Sequence, residues 1–240
     1  RTRNDSLMKL TNIPGRKWHM DSKGPTDETL HGEKVVHYCW DEGSEYTKAL
    51  LACAKVPVHT RYAFDRGFAA EKHPPVILRM DNGGEYIDEE FTLFCRSRHI
   101  TREFSPPHSQ SADGVSECYW REVARSVRAI LWDQQRDDRW WPSAMDFANE
   151  IRNHLDSESV DRSGIPEVEW TGHPVDVSHW RVPLATSWSY IEKDGRHGGT
   201  LGDQRTKGVL VGYASDSRCY EVLPDDGTLV LNRRYEDVIV

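Results

Sequence analysis

What most limits the fold of this chain is the order in which its hydrophobic patterns change. Three strand-like segments come first: Lys17 to Ser22, Lys34 to Trp40 and Tyr46 to Lys55. Turn-forming Asp41-Glu42-Gly43-Ser44 separates the last two, which predicts an antiparallel meander. A short helix is expected over Val58 to Ala70. Then Val76-Ile77-Leu78, with Pro74-Pro75 before it and Asn82-Gly83-Gly84 after it, reads as a compact buried strand. Ile87, Phe91, Phe94 and Cys95 recur at helical spacing, and Ile100 to Phe104 reads as a further short strand. Strands, then helix, strand, helix, strand is an α/β order.

The segment Ser105 to Ser116, SPPHSQSADGVS, is rich in Pro, Ser and Gly and is expected to be a mobile loop. A long amphipathic helix is expected from Glu117 to about Gln135. Trp120, Val123, Val127, Ile130 and Leu131 share its apolar face, and Glu117, Arg121, Arg125 and Arg128 share the opposite one. Pro142 suits the first turn of a second helix with Ala144, Phe147, Ala148, Ile151 and Leu155 on its core face. Past Ser163-Gly164 turn signals crowd together. VLVGYAS, RCYEVL and GTLVLNRRYEDVIV then read as strands of a small all-β unit, with Pro224-Asp225-Asp226-Gly227 as a hairpin turn. The expected division is a tail over 1–15, an α/β core over 16–160, a linker over 161–177 and a β unit over 178–240.

Composition narrows the function. Among 240 residues, 31 Lys and Arg stand against 39 Asp and Glu, a net charge of −8, which excludes a protein that coats nucleic acid by bulk electrostatics. No apolar run approaches the roughly 18 to 20 residues that span a bilayer, and no charged-then-apolar leader opens the chain, so neither membrane insertion nor secretion is expected. The five Cys contain no C-x-x-C pair, which argues for a reducing compartment and against a disulfide framework or a Cys-based zinc site. Arg1 in place of Met is what a processed or excised segment would show.

Three carboxylates stand out. Asp81 follows the buried strand and precedes an Asn-Gly turn, where α/β sheets place ligands; the alternative is that Asp81 and Asn82 only shape the turn. Glu117 opens the long helix, where an acid also serves simply as a partner for the helix dipole. Asp21 lies on the first strand, and strand acids commonly face solvent. Arg121, Arg125 and Arg128 share the helix face of Glu117 and are candidate phosphate contacts, or else an ordinary solvated face. Ser109 and Gln110 are further loop candidates for DNA contact. Trp120, Trp140 and Trp141 invite a base-stacking role, but the apolar face that carries Trp120 favours core packing.

Taken together, Asp21, Asp81 and Glu117, the last two separated by 35 residues, follow the order of the RNase H-like transferases. The chain resembles the integrases of copia-type LTR retrotransposons, relatives of the retroviral integrases. WHMDSKGP resembles the segment of the first Asp, LRMDNGGEY that of the second, and SPPHSQSADGVSE the loop and Glu segment. DVSHWRV (176–182) and VLVGY (209–213) resemble the stretches that introduce the SH3-like unit of copia polyproteins. The resemblance implies an RNase H-like core, a mixed five-stranded sheet flanked by helices, followed by that small β unit. It also implies a homo-oligomer on DNA, without nucleotide cofactor, acting inside the cell and finally in the nucleus.

By the same resemblance the three carboxylates hold two Mg²⁺ or Mn²⁺ ions, Asp21 bridging both, Asp81 holding one and Glu117 the other. Clustered carboxylates repel unless cations neutralise them, and hard oxygen ligands suit Mg²⁺. Two ions about 3.5 to 4 Å apart clamp the attacking and leaving oxygens of an in-line displacement. The implied reactions trim the element's DNA ends with water and then join the freed 3′-hydroxyl to target DNA. The chain departs from the family pattern at Asp113-Gly114, where Asn-Gly is usual, and at Cys118, Tyr119 and Trp120 after the Glu, and it holds no upstream His/Cys zinc module. The rival reading is a catalytically silent DNA-binding or assembly module on the same fold.

Overall fold

The computed structural model describes residues 13–24, 29–69, 71, 74–105, 110–159, 162–191, 202–214, 218–225, 227 and 229–240. The chain divides into two compact units, one of residues 1–125 and 149–175, the other of residues 126–148 and 176–240.

In the first unit, β1 (Lys17–Lys23), β2 (Val35–Asp41) and β3 (Thr47–Ala52) form the expected antiparallel meander. β4 (Ile77–Met80) and β5 (Thr101–Phe104) extend it on the other side as parallel strands, so the mixed sheet runs β3-β2-β1-β4-β5. Each parallel step needs a crossover. Helix α1 (Pro57–Phe68) supplies the first; α2 (Gly84–Ile87) and α3 (Glu89–Ser97) supply the second. Every residue of β2 is buried, as befits a strand covered on both faces.

One face of this sheet packs on α1 and α3 through Trp18, Met20, Leu78, Phe64, Phe68 and Phe91. Trp18 meets Phe68 and Trp170 edge-on, with ring centroids 4.9 and 5.3 Å apart. Trp170 belongs to α6 (Pro166–Thr171), within the stretch expected as a linker. A short hairpin of β6 (Ser157–Ser159) and β7 (Arg162–Gly164) precedes it.

Helix α4 (Gln110–Asp133) differs from expectation at its start. The sequence predicts a loop through Ser116, yet the helix already runs from Gln110. Beyond Pro107 no residue forbids helical backbone, and Gly114 costs only about 1 kcal/mol. The helix continues to Asp133 with Val123, Val127 and Leu131 buried and Glu117, Arg121, Arg125 and Arg128 exposed, as the periodicity predicts.

Helix α5 (Trp141–His154) buries Ala144, Phe147 and Ala148 as predicted, but Leu155 lies past its end and is exposed. The inward positions of its last turns are taken instead by asparagines. Asn153 Oδ1 accepts the Thr47 amide N–H at 2.9 Å, and the Nδ2 groups of Asn149 and Asn153 both donate to the Thr47 carbonyl at 2.9 Å. Thr47 opens β3, an edge strand whose outward backbone groups would otherwise lack partners.

In the second unit, β8 (Thr186–Tyr190), β9 (Arg205–Tyr213), β10 (Cys219–Pro224), β11 (Leu231–Arg234) and β12 (Val238–Ile239) form an antiparallel sheet in the order β11-β10-β9-β8-β12. Strand β8, missed by the sequence reading, buries Ser187 and Ser189 where an apolar alternation would have announced a strand. The hairpin turn is closed by the Gly227 N–H donating to Pro224 O at 2.8 Å, with Gly227 at a φ of 69° that favours glycine; Asp226 lies outside the described residues. The 176–182 motif leads into this sheet: the Tyr220 hydroxyl donates to the His179 carbonyl at 2.7 Å, and the His179 ring stacks on Tyr235.

Asn153→Ala leaves the buried Thr47 amide without an acceptor. It is expected to lower stability by about 2 kcal/mol, measured by urea denaturation followed by far-UV circular dichroism.

Candidate active site

The β1–β4 pairing runs in register through Met20 opposite Met80. Asp21 and Asp81 are the next residue on each strand, so Asp81 leaves the carboxyl end of β4 beside Asp21, which β1 carries on for two further residues paired with β2. Asp21 is half-buried and its Oδ2 lies 2.7 Å from the Lys23 ammonium. Asp81 is exposed, and its Oδ1 accepts the Gly83 N–H at 2.9 Å, which turns the chain into α2. Turn-shaping and ligand roles, alternatives in the sequence, are thus compatible: one oxygen shapes the turn while the side chain stays open to solvent.

Glu117 is exposed on α4, next to the residue that fastens this helix to the sheet. The Trp40 indole N–H donates to Ser116 Oγ at 2.9 Å, and the Trp40 ring stacks on His19 with centroids 4.0 Å apart. His19 lies two residues before Asp21 and contacts the Glu42 carboxylate through Nε2 at 2.9 Å. The strand bearing the first carboxylate and the helix bearing the third are therefore joined through His19, Trp40 and Ser116. Among the described residues, however, no group of three or more His, Cys, Asp or Glu side chains is arranged to hold a metal ion, so Glu117 is not gathered with Asp21 and Asp81 into one ligand set. The donor chemistry itself suits magnesium: oxygen-only carboxylates, all three with solvent access.

Arg121, Arg125 and Arg128 are exposed at successive turns of α4, and among the described residues none of the three enters an ion pair. Gln110 opens the helix rather than sitting in a loop, and Ser109 lies outside the described residues. Trp120 packs edge-on against Tyr38 at 6.0 Å and Trp141 is buried, which favours the core reading for both; Trp140 is half-buried beneath the Arg136 guanidinium.

Sequence reasoning missed the layer under the two aspartates. Glu85, on α2, is buried, with its Oε1 accepting the Ser22 hydroxyl at 2.8 Å and lying 3.2 Å from the Lys55 ammonium. Behind it His37, paired with Ser22 in the β1–β2 register, contacts the Tyr86 hydroxyl through Nδ1 at 3.0 Å and Thr60 Oγ1 through Nε2 at 3.2 Å. Burial pushes the His37 pKa down to about 4, against the pull of the Glu85 carboxylate. Glu85 and Ser22 were both within the quoted motifs; their burial was the signal a single sequence does not carry.

No family model matches the chain. Among curated proteins it is 30% identical over 145 residues, 60% of its length, to the Retrovirus-related Pol polyprotein from transposon TNT 1-94 of Nicotiana tabacum. The chain is thus similar in sequence to part of a retrotransposon Pol polyprotein. It spans 11% of that polyprotein's length. Solved structures agree on the fold. A chain of the simian T-cell lymphotropic virus intasome in complex with PP2A regulatory subunit B56 gamma superposes with a TM-score of 0.57 at 16% identity, covering 94% of this chain and 78% of that one. The HTLV-2 integrase catalytic core domain, solved in complex with magnesium, superposes with a TM-score of 0.51 at 19% identity, covering 62% and 92%. The fold shared with these integrase chains is a mixed five-stranded sheet with its helices, followed by a five-stranded antiparallel sheet. No helix among the described residues is long and apolar enough to cross a membrane.

Neutral His37 makes the stability of this integrase-like core sensitive to acid. Its pKa is near 6.5 unfolded and about 4 folded, so as pH falls the unfolded chain takes the proton first. The stabilisation present above about pH 6.5 is lost progressively toward pH 4, to the extent of about 3 kcal/mol. In His37→Gln the loss of stability over this range is expected to be shallower than in wild type, measured by urea denaturation at stepped pH.

Proposed function

We propose that this chain is the catalytic segment of a DNA strand transferase that trims the ends of an element's DNA and joins them to target DNA. The observation that carries the reading is the β1–β4 register, in which Asp21 and Asp81 each follow the last paired residues, Met20 and Met80, on a fold shared with an integrase core solved in complex with magnesium. Asp21, Asp81 and Glu117 are the residues that would hold divalent magnesium or manganese, two ions in the full site. Bound there, the metal supplies Lewis acidity toward phosphoryl oxygens and offsets the repulsion among the carboxylates. Glu117 would complete the set by a shift of the first turns of α4 relative to the strands, pivoting about the contacts at Ser116, Tyr119 and Trp120 that fasten the helix.

Arg121, Arg125 and Arg128 offer guanidinium groups to the phosphates of a duplex whose end lies at the carboxylates, with Gln110 and Ser109 at the near end of the same row. This local grip reconciles DNA contact with a net charge of −8. Residues 16–160 would carry the reaction and the SH3-like unit over 178–240 would support it, in a homo-oligomer assembled on DNA in the nucleus. A specific observation favours a second reading, a silent DNA-binding module: the absence, among the described residues, of a gathered three-carboxylate group.

The two readings separate in a strand-transfer assay with oligonucleotides matching the element's termini, in Mg²⁺ or Mn²⁺. Asp81→Asn keeps the amide oxygen that can accept the Gly83 N–H, so the turn survives while a charged ligand is lost. Metal-dependent product is expected from wild type and at least about a hundredfold less from the variant, above the range for loss of an outer-shell partner. Absence of product from folded wild-type protein would select the silent module. Replacing Arg121, Arg125 and Arg128 together with Gln is expected to weaken duplex binding and to reduce the slope of log affinity against log salt by about 2 to 3, read by fluorescence anisotropy.

A further inference from the structure

The buried Glu85 lies on α2, just past the turn that carries Asp81, and bonds to the strand that carries Asp21. Its side chain is 3% exposed, in contrast to the open Asp81 four residues earlier. A carboxylate that deep needs partners. Among the described residues it has two: the Ser22 hydroxyl on β1, 63 residues away in sequence and adjacent to Asp21, and the Lys55 ammonium in the connection between β3 and α1. Its second oxygen, Oε2, and Asp81 Oδ1 both crowd Gly83, lying 2.7 and 3.0 Å from the point where a Cβ would stand. The turn Asp81-Asn82-Gly83-Gly84-Glu85 is thus held at both ends, at Asp81 by its own bond to the Gly83 N–H and at Glu85 by the bond to β1.

We infer that Glu85 is a positioning residue for the Asp21–Asp81 pair: by accepting the Ser22 hydroxyl it latches the turn that carries Asp81 to the strand that carries Asp21. The latch works because its bond spans the two backbones that must be in step. Sheet pairing fixes them only as far as Met20 and Met80. Beyond that register β1 stays paired to β2 through Lys23, whereas the turn that carries Asp81 has no further pairing to β1, and the Ser22–Glu85 bond ties it to β1 two residues past the last pair. Lys55 offsets the third negative charge, so that it does not add to the repulsion between the aspartates. The absence of a Cβ at Gly83 lets Glu85 and Asp81 approach from both sides. This role rests on the proposed metal-holding function of the pair and deepens it.

The test uses the full 240-residue chain, with Mn²⁺ alone as the probe. Free Mn²⁺ is measured by electron paramagnetic resonance during titration, and amide hydrogen exchange of residues 81–87 is followed in parallel. Glu85→Ala is expected to weaken Mn²⁺ binding about tenfold or more, within the range for outer-shell partners, and to speed exchange across the turn while the far-UV spectrum stays that of wild type. Ser22→Ala should reproduce both effects. Glu85→Gln, which keeps an oxygen acceptor for Ser22, should restore affinity to within about threefold of wild type and slow the exchange again. A folded Glu85→Ala protein with wild-type Mn²⁺ affinity overturns the positioning role alone, as does unchanged exchange across the turn. A folded wild-type chain that takes up no Mn²⁺ overturns the functional reading, and the positioning role with it. Should Glu85→Ala fail to fold, Ser22→Ala and Glu85→Gln carry the test, since each retains the chain around it and changes one side of the bond.

Discussion

Because β1 pairs parallel with β4 while pairing antiparallel with β2, two aspartates 60 residues apart emerge side by side at one end of the sheet. Everything at the site depends on that pairing. Trp18 and Met20 point into the layer of α1 and α3 and anchor β1, and Leu78 and Met80 do the same for β4. Shifting the register by one residue would turn these four large side chains toward the opposite face. The core thus fixes the register, and the register fixes the spacing of the carboxylates.

The opposite face carries a second set of constraints, mostly polar. His19 lies on Trp40, Trp40 donates to Ser116, and Arg152 covers the Tyr119 ring while donating to the Glu45 carbonyl. These contacts hold α4 against β2 at the position from which Glu117 projects. These contacts precede the apolar seam of Val123, Val127 and Leu131, so the start of α4 is held by polar and aromatic contacts and the rest of it by burial. In the proposed site the two aspartates would sit on the sheet and the glutamate on a helix end that moves, a division that would let the carboxylates stay apart until a cation arrives.

Much of the core was legible because strand and helix periods leave different marks. The meander and the buried β4 lie within a few residues of where alternation puts them, and α4 keeps the apolar face that its 3.6-residue spacing predicts. The errors arose where a local signal was outweighed. Pro, Ser and Gly around Ser105 to Ser116 argued for a loop, yet helix propagates from Gln110 once the prolines are passed. Leu155 looked like a core position by spacing, but α5 ends before it and Asn153 takes the inward place because Thr47 offers it backbone partners. β8 alternates serine with exposed residues and left no hydrophobic mark.

The sequence by itself determined the identities of Asp21, Asp81 and Glu117, the order of elements that carry them and the row of arginines beside Glu117. These follow from residue type and short-range period, which one chain displays in full. Tertiary structure alone decided where the carboxylates fall. It set Asp21 and Asp81 one residue beyond the Met20–Met80 pair, gathered no three-carboxylate group among the described residues, and buried Glu85 against Ser22 although it stands in the same motif as the exposed Asp81. The physical reason is that proximity and burial come from contacts between residues far apart in the chain. No local pattern distinguishes a carboxylate that will face solvent from one that will be enclosed and must find a hydroxyl and an ammonium there.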